Sequence, residues 1–408
     1  MDKKDKVKRT LKLRLLPTKE QEDLMWKHIN HSRFLRNKLV EKGNEAIENS
    51  KSIGKYYFYE HIKELCNTEE YKFLKDVSKS SLKSIGEELS LSYRRYFNHT
   101  SEKPKFHKKG KCSNYYFPRS DSKDKFYIDE NNKIKIEKLG RVKISNNSLK
   151  NNYDVIQDIK KYDRLRKSVI RKDSKYWYIT IQYNVEDIQR EQVEYKEDYQ
   201  ESIGIDMGLK TLLVCSDGDE YYNISDSDNY KKVEKRLKKL QKDVSRKYEA
   251  NKQGNEYIKT NNILKTEQEI RKYYRKLTNI KDTYTHTITK RIVEKRPEAI
   301  YIEDLDIDDM KRKKHLANRV TTCNFYDIRR KLEYKAYNYG IKLVVVDKKY
   351  PSTQICSNCE NRKEGKDKVT TSRMYVCHKC GYKEDRDINA SYNLKNYYNS
   401  KWYKENKL

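Results

Sequence analysis

The sequence predicts a multidomain α+β protein, and three observations predict it. Residues 18–100 carry a helical apolar period, residues 101–185 carry short alternating strands, and from 202 onward apolar strands alternate with long charged helices. A chain of 408 residues is long enough for about two or three domains of roughly 100–200 residues each. No apolar run approaches the roughly 18 residues of a spanning helix, so no membrane span is expected. Met1–Lys12 is basic, with no apolar stretch after it, so a secretory signal is not expected either.

The elements follow in order. Val7–Leu16 (VKRTLKLRLL) alternates apolar and basic residues, a strand pattern that Pro17 ends. Thr18 and Gln21 fit a capping box, which opens a helical block to about His99. Gly43, Gly54 and the stretch CNTEE at 66–70 are expected to break that block into several helices. KPKFHKKGK is then a basic loop, followed by short strands at Phe126–Ile128, Lys133–Ile136 and Val142–Ile144. A hairpin is expected over 168–185, turning near Asp173 and Ser174. Strand 7–16 is able to join these in an antiparallel sheet or small barrel, which makes the helical block an insertion. A Glu-rich linker covers 186–201, and two apolar strands lie within 202–222 around Gly208 and Asp217-Gly218. Residues 229–296 read as two long helices turning near 251–255. AIYIEDLDI (299–307) is an apolar strand with an acidic end. A helix at 325–339, a strand at 341–346 and a closing helix at 388–396 complete the pattern, and no internal repeat is present.

Lysine and arginine number 92 against 62 acids, a formal charge of +30. Self-repulsion of that size disfavours a compact state unless a polyanion neutralises it. The 36 tyrosines interleaved with lysines suit phosphate contact with base stacking, so nucleic acid is the expected partner. The plainer alternative is a lysine- and tyrosine-rich codon bias on an ordinary enzyme.

Eight cysteines divide unevenly. Cys66, Cys112, Cys215 and Cys323 stand alone and read as plain thiols of a reducing cytoplasm. Cys356, Cys359, Cys377 and Cys380 form two C-x-x-C pairs separated by 17 residues, the spacing of a four-thiolate zinc ribbon. Gly381 suits the tight turn after the second pair, whereas Glu360 holds the matching place after the first and is unfavourable if that turn needs φ > 0.

Three acids form a second constellation. Asp206 follows apolar strand residues in IGIDMGLK, Glu303 ends the strand in IYIEDLDI, and Asp387 opens the last helix in EDRDINAS. Carboxylates at the ends of apolar strands are costly to desolvate unless a cation binds them. Three from distant segments are able to meet and hold two Mg²⁺ ions, the arrangement that serves phosphodiester displacement. Each has a bland alternative: a turn, a solvated strand end, a helix cap. Asp304, Asp306 and Asp385 are near enough to tune or replace a ligand.

GIDMGLK, IYIEDLDI, the paired C-x-x-C motifs and CGYKEDRDINASYNLK, in that order, resemble the transposon-encoded TnpB (OrfB) family, compact relatives of the type V CRISPR effectors. LKLRLLPTKEQ, KPKFHKK, LKKLQKDVSRK and LEYKAYNYGIKLVVVDKKYPSTQICSNC extend the likeness over nearly the whole chain. The resemblance implies a RuvC-like, RNase H-like mixed α/β nuclease domain at 196–408 with the zinc ribbon inserted at 350–384. It also implies a β-barrel (wedge) domain from 1–17 and 101–195, and a helical-bundle (recognition) domain at 18–100. The implied activity is RNA-guided endonuclease cleavage of double-stranded DNA, with a guide RNA and target DNA as partners. By this likeness Asp206, Glu303 and Asp387 match the metal-binding acids, and Cys356, Cys359, Cys377 and Cys380 the zinc ligands. Arg373 matches an arginine that either steadies the scissile phosphate or packs the ribbon. Lys105, His107, Lys108 and Lys109 are candidates to touch nucleic acid. Glu360 for glycine and Ser391 for alanine depart from the family pattern. A compact type V effector, a nuclease-independent guided regulator and an unguided resolvase-type nuclease are the competing readings.

Overall fold

A computed structural model describes residues 7–108, 115–118, 125–162, 165–173, 175–185, 201–363 and 373–407. The chain divides into two compact units, Met1–Asp187 and Ile188–Leu408. No helix among the described residues is long and apolar enough to cross a membrane.

The first unit begins with β1 (Val7–Leu16), α1 (Lys19–Glu48), α2 (Lys55–Asn67) and α3 (Lys79–Phe97). It continues through β2 (Tyr115–Tyr116), β3 (Tyr127–Ile128), β4 (Lys133–Ile136), β5 (Gly140–Ile144), α4 (Asn146–Asn151), α5 (Tyr153–Tyr162), β6 (Leu165–Asp173) and β7 (Tyr176–Val185). The strands pair in the order β2-β6-β7-β1-β5-β4-β3, all antiparallel. Strand β1 lies at the centre because Leu11, Leu13 and Leu15 put every second side chain into the core with Ile179, Ile181, Ile134 and Val142. The ladder runs open from β2 to β3, so the expected barrel is not seen closed among the described residues.

Thr18 opens α1 with the expected reciprocal cap, its side chain accepting from the Gln21 N–H while Gln21 Oε1 accepts from the Thr18 N–H. One expectation fails here. Gly43 does not break the helix, and α1 runs on to Glu48. A Cβ at Gly43 would lie 2.4 Å from the Tyr93 hydroxyl oxygen. That hydroxyl donates to the Val40 carbonyl at 3.1 Å. The glycine admits the α3 tyrosine, and packing outweighs its roughly 1 kcal/mol helix penalty.

The second unit opens with β8 (Ile203–Met207), β9 (Thr211–Cys215) and β10 (Glu220–Tyr222). A helical hairpin follows, α6 (Asp228–Ala250) and α7 (Asn261–Glu294), joined through the short strands β11 (Lys252–Gln253) and β12 (Glu256–Tyr257). Next come β13 (Ala299–Glu303), α8 (Ile307–Arg312), α9 (Lys314–Cys323), α10 (Phe325–Asn338) and β14 (Lys342–Val346). The hairpin β15 (Met374–Val376) and β16 (Lys383–Asp385) leads into α11 (Arg386–Lys395), and α12 (Lys401–Lys407) closes the unit. The five-stranded sheet has the order β10-β9-β8-β13-β14, with β8, β13 and β14 parallel and β8, β9 and β10 antiparallel. All of β8 and β9 is buried, as strands covered on both faces should be.

Helix α11 rests directly on β8. A Cβ at Gly204 would fall 2.0 Å from the Ser391 carbonyl oxygen and 2.4 Å from the Lys395 nitrogen. Only a residue without a side chain admits the helix backbone at that height. Gly204→Ala should therefore lower the thermal midpoint of this unit, at a cost of at least about 1–3 kcal/mol for forced overpacking. An unchanged melting curve would mean that the two backbones do not touch.

Candidate metal centres

The Gly204 contact fixes where the acids sit. Asp206 is two residues along the strand from Gly204 and so points to the same face, toward α11. Asp387 lies one helical turn before Ser391, the residue that touches Gly204. In the neighbouring parallel strand Ile302 pairs with Ile205, which puts Glu303 beside Asp206 on that same face. Three segments far apart in sequence thus bring Asp206, Glu303 and Asp387 to one end of the sheet.

The electrostatics follow from this placement. Asp206 is 6% exposed, and its pKa is raised well above the carboxylate range, first by burial and then by Glu303 and Asp387. Burial likewise raises Glu303. Arg386 offers partial compensation, its Nε and Nη2 each donating to Asp387 Oδ1 at 3.2 Å. Arg386 is the one cation paired with the three carboxylates among the described residues, and a site this rich in carboxylate oxygens suits a hard divalent cation. The neighbouring acids are occupied otherwise. Asp304 accepts from Arg329 Nη1 at 2.7 Å. Asp306 caps α8 and pairs with Lys348, and Asp385 caps α11 by accepting from the Asp387 and Ile388 N–H groups.

Cys356, Cys359, Cys377 and Cys380 hold their sulfurs within 4.8 Å of one another. Cys356 Sγ is 3.7 Å from Cys380 Sγ, and Cys359 Sγ is 3.6 Å from Cys377 Sγ. Disulfides are excluded, since those need about 2.05 Å. A tetrahedron with Zn–S of about 2.3 Å has S···S edges of about 3.8 Å, so the cluster fits a structural zinc ion. The two knuckles are alike in their backbone. Glu360 N–H donates to the Cys356 carbonyl and Gly381 N–H to the Cys377 carbonyl, both at 2.9 Å. Glu360 takes φ +57° where Gly381 takes +74°, so the first knuckle carries the left-handed strain that the sequence foresees. Of the lone thiols, Cys215 and Cys323 are buried and Cys66 half-buried, while Cys112 lies outside the described residues.

Two asparagines join the centres, and sequence reasoning gave neither a role. Asn389 Nδ2 donates to the Ile355 carbonyl at 2.7 Å, and its Oδ1 accepts from the Ser357 N–H at 2.9 Å. Asn393 Nδ2 donates to the Ser352 and Ile355 carbonyls at 2.8 and 2.7 Å. Both are buried, and they bolt the first knuckle to the helix that carries Asp387. Their signal was two buried amides four residues apart in a short helix, a pairing more costly than useful unless it recognises backbone. Tyr222, on the sheet edge, is 61% exposed, and its hydroxyl donates to Glu220 Oε2 at 2.7 Å, a bond that raises its pKa against a small opposing effect of Arg373. Arg373 is exposed, and its carbonyl accepts from the Arg386 N–H.

The basic loop of the first unit is held by its backbone. Arg36 Nη1 donates to the Lys105 carbonyl at 2.9 Å, and Asn37 bonds both the N–H and the carbonyl of His107. Lys105 and Lys108 are exposed, with Lys105 paired to Glu102 at 2.5 Å. His107 turns inward, its pKa lowered to about 4 by burial and then by Arg36 and Arg33. Lys109 lies outside the described residues.

Three family models match successive parts of the chain. They are a "Helix-turn-helix domain" of OrfB_IS605 at 1–52, the OrfB_IS605 "Probable transposase" at 180–314, and a "Cas12f1-like, TNB domain" at 325–394. The chain is a relative of the OrfB and TnpB proteins. It is 25% identical over 402 residues to the Escherichia coli (strain K12) protein named "Putative RNA-guided DNA endonuclease InsQ", covering 94% of this chain and 90% of that one. A Streptomyces pristinaespiralis protein of the same description is 24% identical over 398 residues, with 95% and 89% covered. A solved structure shares the fold. The structure of Cas12f1 with sgRNA and target DNA matches with a TM-score of 0.52 at 16% identity, covering 96% of this chain and 99% of that chain. Within the first matched stretch, the described residues 7–52 form one strand and one 30-residue helix.

Two outcomes check the centres. Glu360→Gly should raise the thermal midpoint and slow zinc loss to a chelator, since relief of the left-handed residue is worth roughly 1 kcal/mol; a lower midpoint would contradict the strain. The second concerns pH. The folded chain holds the Asp206 proton more tightly than the unfolded chain does. Its stabilising contribution is therefore complete below the ordinary carboxylate range and is lost as pH rises through the raised value. Without added divalent cation, the urea midpoint should fall as pH rises above the ordinary carboxylate range, more steeply in the unaltered chain than in Asp206→Asn. Parallel profiles would contradict it.

Proposed function

We propose that this chain is an RNA-guided DNA endonuclease of transposon-associated type, cutting target DNA by Mg²⁺-dependent phosphodiester hydrolysis. The observation that carries the reading is the convergence of buried Asp206 with half-buried Glu303 and Asp387 at one end of the sheet, where both raise the Asp206 pKa. Full-length similarity to proteins named RNA-guided DNA endonucleases supports it. The strand order β10-β9-β8-β13-β14, an antiparallel meander on one side and parallel crossovers on the other, supports an RNase H-like, RuvC-type assignment for the second unit. The wedge and recognition roles of the first unit's sheet and helices belong to the same reading.

Asp206, Glu303 and Asp387 would hold two Mg²⁺ ions, which when bound supply Lewis-acid stabilisation and an activated water. The chain's own work is placement. Asp206 is fixed by its strand and Glu303 by parallel register. Asp387 is fixed by a helix seated on Gly204 and tied by Asn389 and Asn393 to the thiolate knuckle. Arg373, exposed at the foot of the ribbon, is able to meet a phosphate with its planar donor fork. The zinc ribbon is a frame for Asp387 and takes no part in the chemistry. Sequence choice passes to base pairing with the guide, while the basic surfaces hold backbone. Retention of all three acids favours the nuclease over a regulator that binds without cutting.

Asp206→Asn should reduce cleavage of a guide-matched DNA by more than about 100-fold and leave guide-RNA affinity unchanged. It should also abolish the rise in thermal midpoint that Mn²⁺ gives the unaltered chain. Normal cutting by this variant would refute the assignment.

A further inference from the structure

Helix α6 has two opposite faces. One packs on α7, with Tyr230 and Leu237 buried, Val233 half-buried, and Leu277, Ile270 and Ile280 as partners. The other carries Lys232, Lys235, Arg236, Lys239, Lys242 and Arg246, all exposed. At 3.6 residues per turn these six fall within an arc of roughly 120° and span about 21 Å of axis. The ion pairs that α6 does make, Glu234 with Lys238 at 3.0 Å and Asp243 with Lys247 at 2.8 Å, use other cations. None of the six is in an ion pair among the described residues. Like charges three and four apart repel along a helix, so this row is unfavourable for the isolated fold. Its length matches about six successive phosphates of one duplex strand at roughly 3.4 Å of axis each. A membrane surface is a poorer fit, because a helix lying on lipid needs an apolar face for the acyl boundary, and that face of α6 is covered by α7.

We propose that the solvent face of α6 is a phosphodiester-binding track, taking one backbone strand of a nucleic-acid duplex along its length. The proposal rests on the function above for which duplex is bound, and on the charge row alone for binding. It places a polyanion contact in the second unit, apart from the basic loop at 103–108.

The test uses the full chain and a quadruple variant, Lys235→Gln/Arg236→Gln/Lys239→Gln/Lys242→Gln. Fluorescence anisotropy measures binding of a 20-base-pair RNA–DNA hybrid, duplex DNA of equal length, single-stranded RNA and phosphatidylserine vesicles across a KCl series. The track predicts at least a tenfold loss of affinity for a duplex probe at low salt. The slope of log K against log salt should be shallower by about 0.9 for each phosphate contact removed. The probe that loses most, hybrid or DNA, identifies the source of the phosphates. Unchanged affinity and slope for both duplexes, or a loss confined to single-stranded RNA or vesicles, would overturn it. If the quadruple variant melts early, Lys235→Gln/Lys239→Gln provides the same reading at half the slope change. The two claims fail separately. A quadruple variant that binds and cuts normally while Asp206→Asn is dead removes only the track, and a chain that binds through α6 but never cuts removes only the nuclease.

Discussion

The contact of α11 with β8 at Gly204 is the constraint on which the rest of the second unit depends. Strand register alone brings Asp206 and Glu303 together, because adjacent parallel strands present paired positions to one face. Asp387 comes from a segment some 180 residues further on and arrives only because a helix backbone lies against the strand without a Cβ between them. One missing side chain therefore converts a pair of acids into a trio. The trio is costly to hold, as the upward shift of Asp206 indicates, and the proposed cation would offset that cost.

The thiolate cluster belongs to the same device. Its first knuckle is tied to α11 through buried amides of Asn389 and Asn393, and its second runs through β16 directly into the Asp385 cap of that helix. A closed thiolate cluster that fits zinc thereby orients the carboxylate end of the sheet without sharing a residue with it. Charge is distributed to match. Negative groups converge at one end of a sheet, in a chain of net charge +30 whose excess cations line exposed surfaces such as α6. Under the proposed function a phosphate backbone would be drawn to the basic surfaces and would meet the carboxylates through bound cations.

Much of this was legible in the sequence for physical reasons. Thiolate spacing is local, so the four cysteines announce their cluster, and the strained Glu360 could be anticipated from the turn it occupies. The alternation of β1, the Thr18 cap and the α6–α7 hairpin are likewise local periodicities. The acids needed more. Composition suggests only that each ends an apolar strand or starts a helix, and their choice over Asp304, Asp306 and Asp385 leaned on family resemblance. What escaped was long-range close packing. Gly43 reads as a helix breaker and is instead the seat of Tyr93. Gly204 reads as an ordinary strand glycine, and the two asparagines as polar helix residues. Each makes sense only when its partner, about 30 to 190 residues away, is in place.

The central claim is that Asp206, Glu303 and Asp387 form one cation pocket. Anomalous diffraction from crystals of the intact protein soaked in Mn²⁺ measures it most directly. Manganese density lying between these three carboxylates, and absent from Asp387→Asn crystals, is the predicted result. Manganese bound elsewhere, with the three carboxylates empty at saturating concentration, would contradict the account.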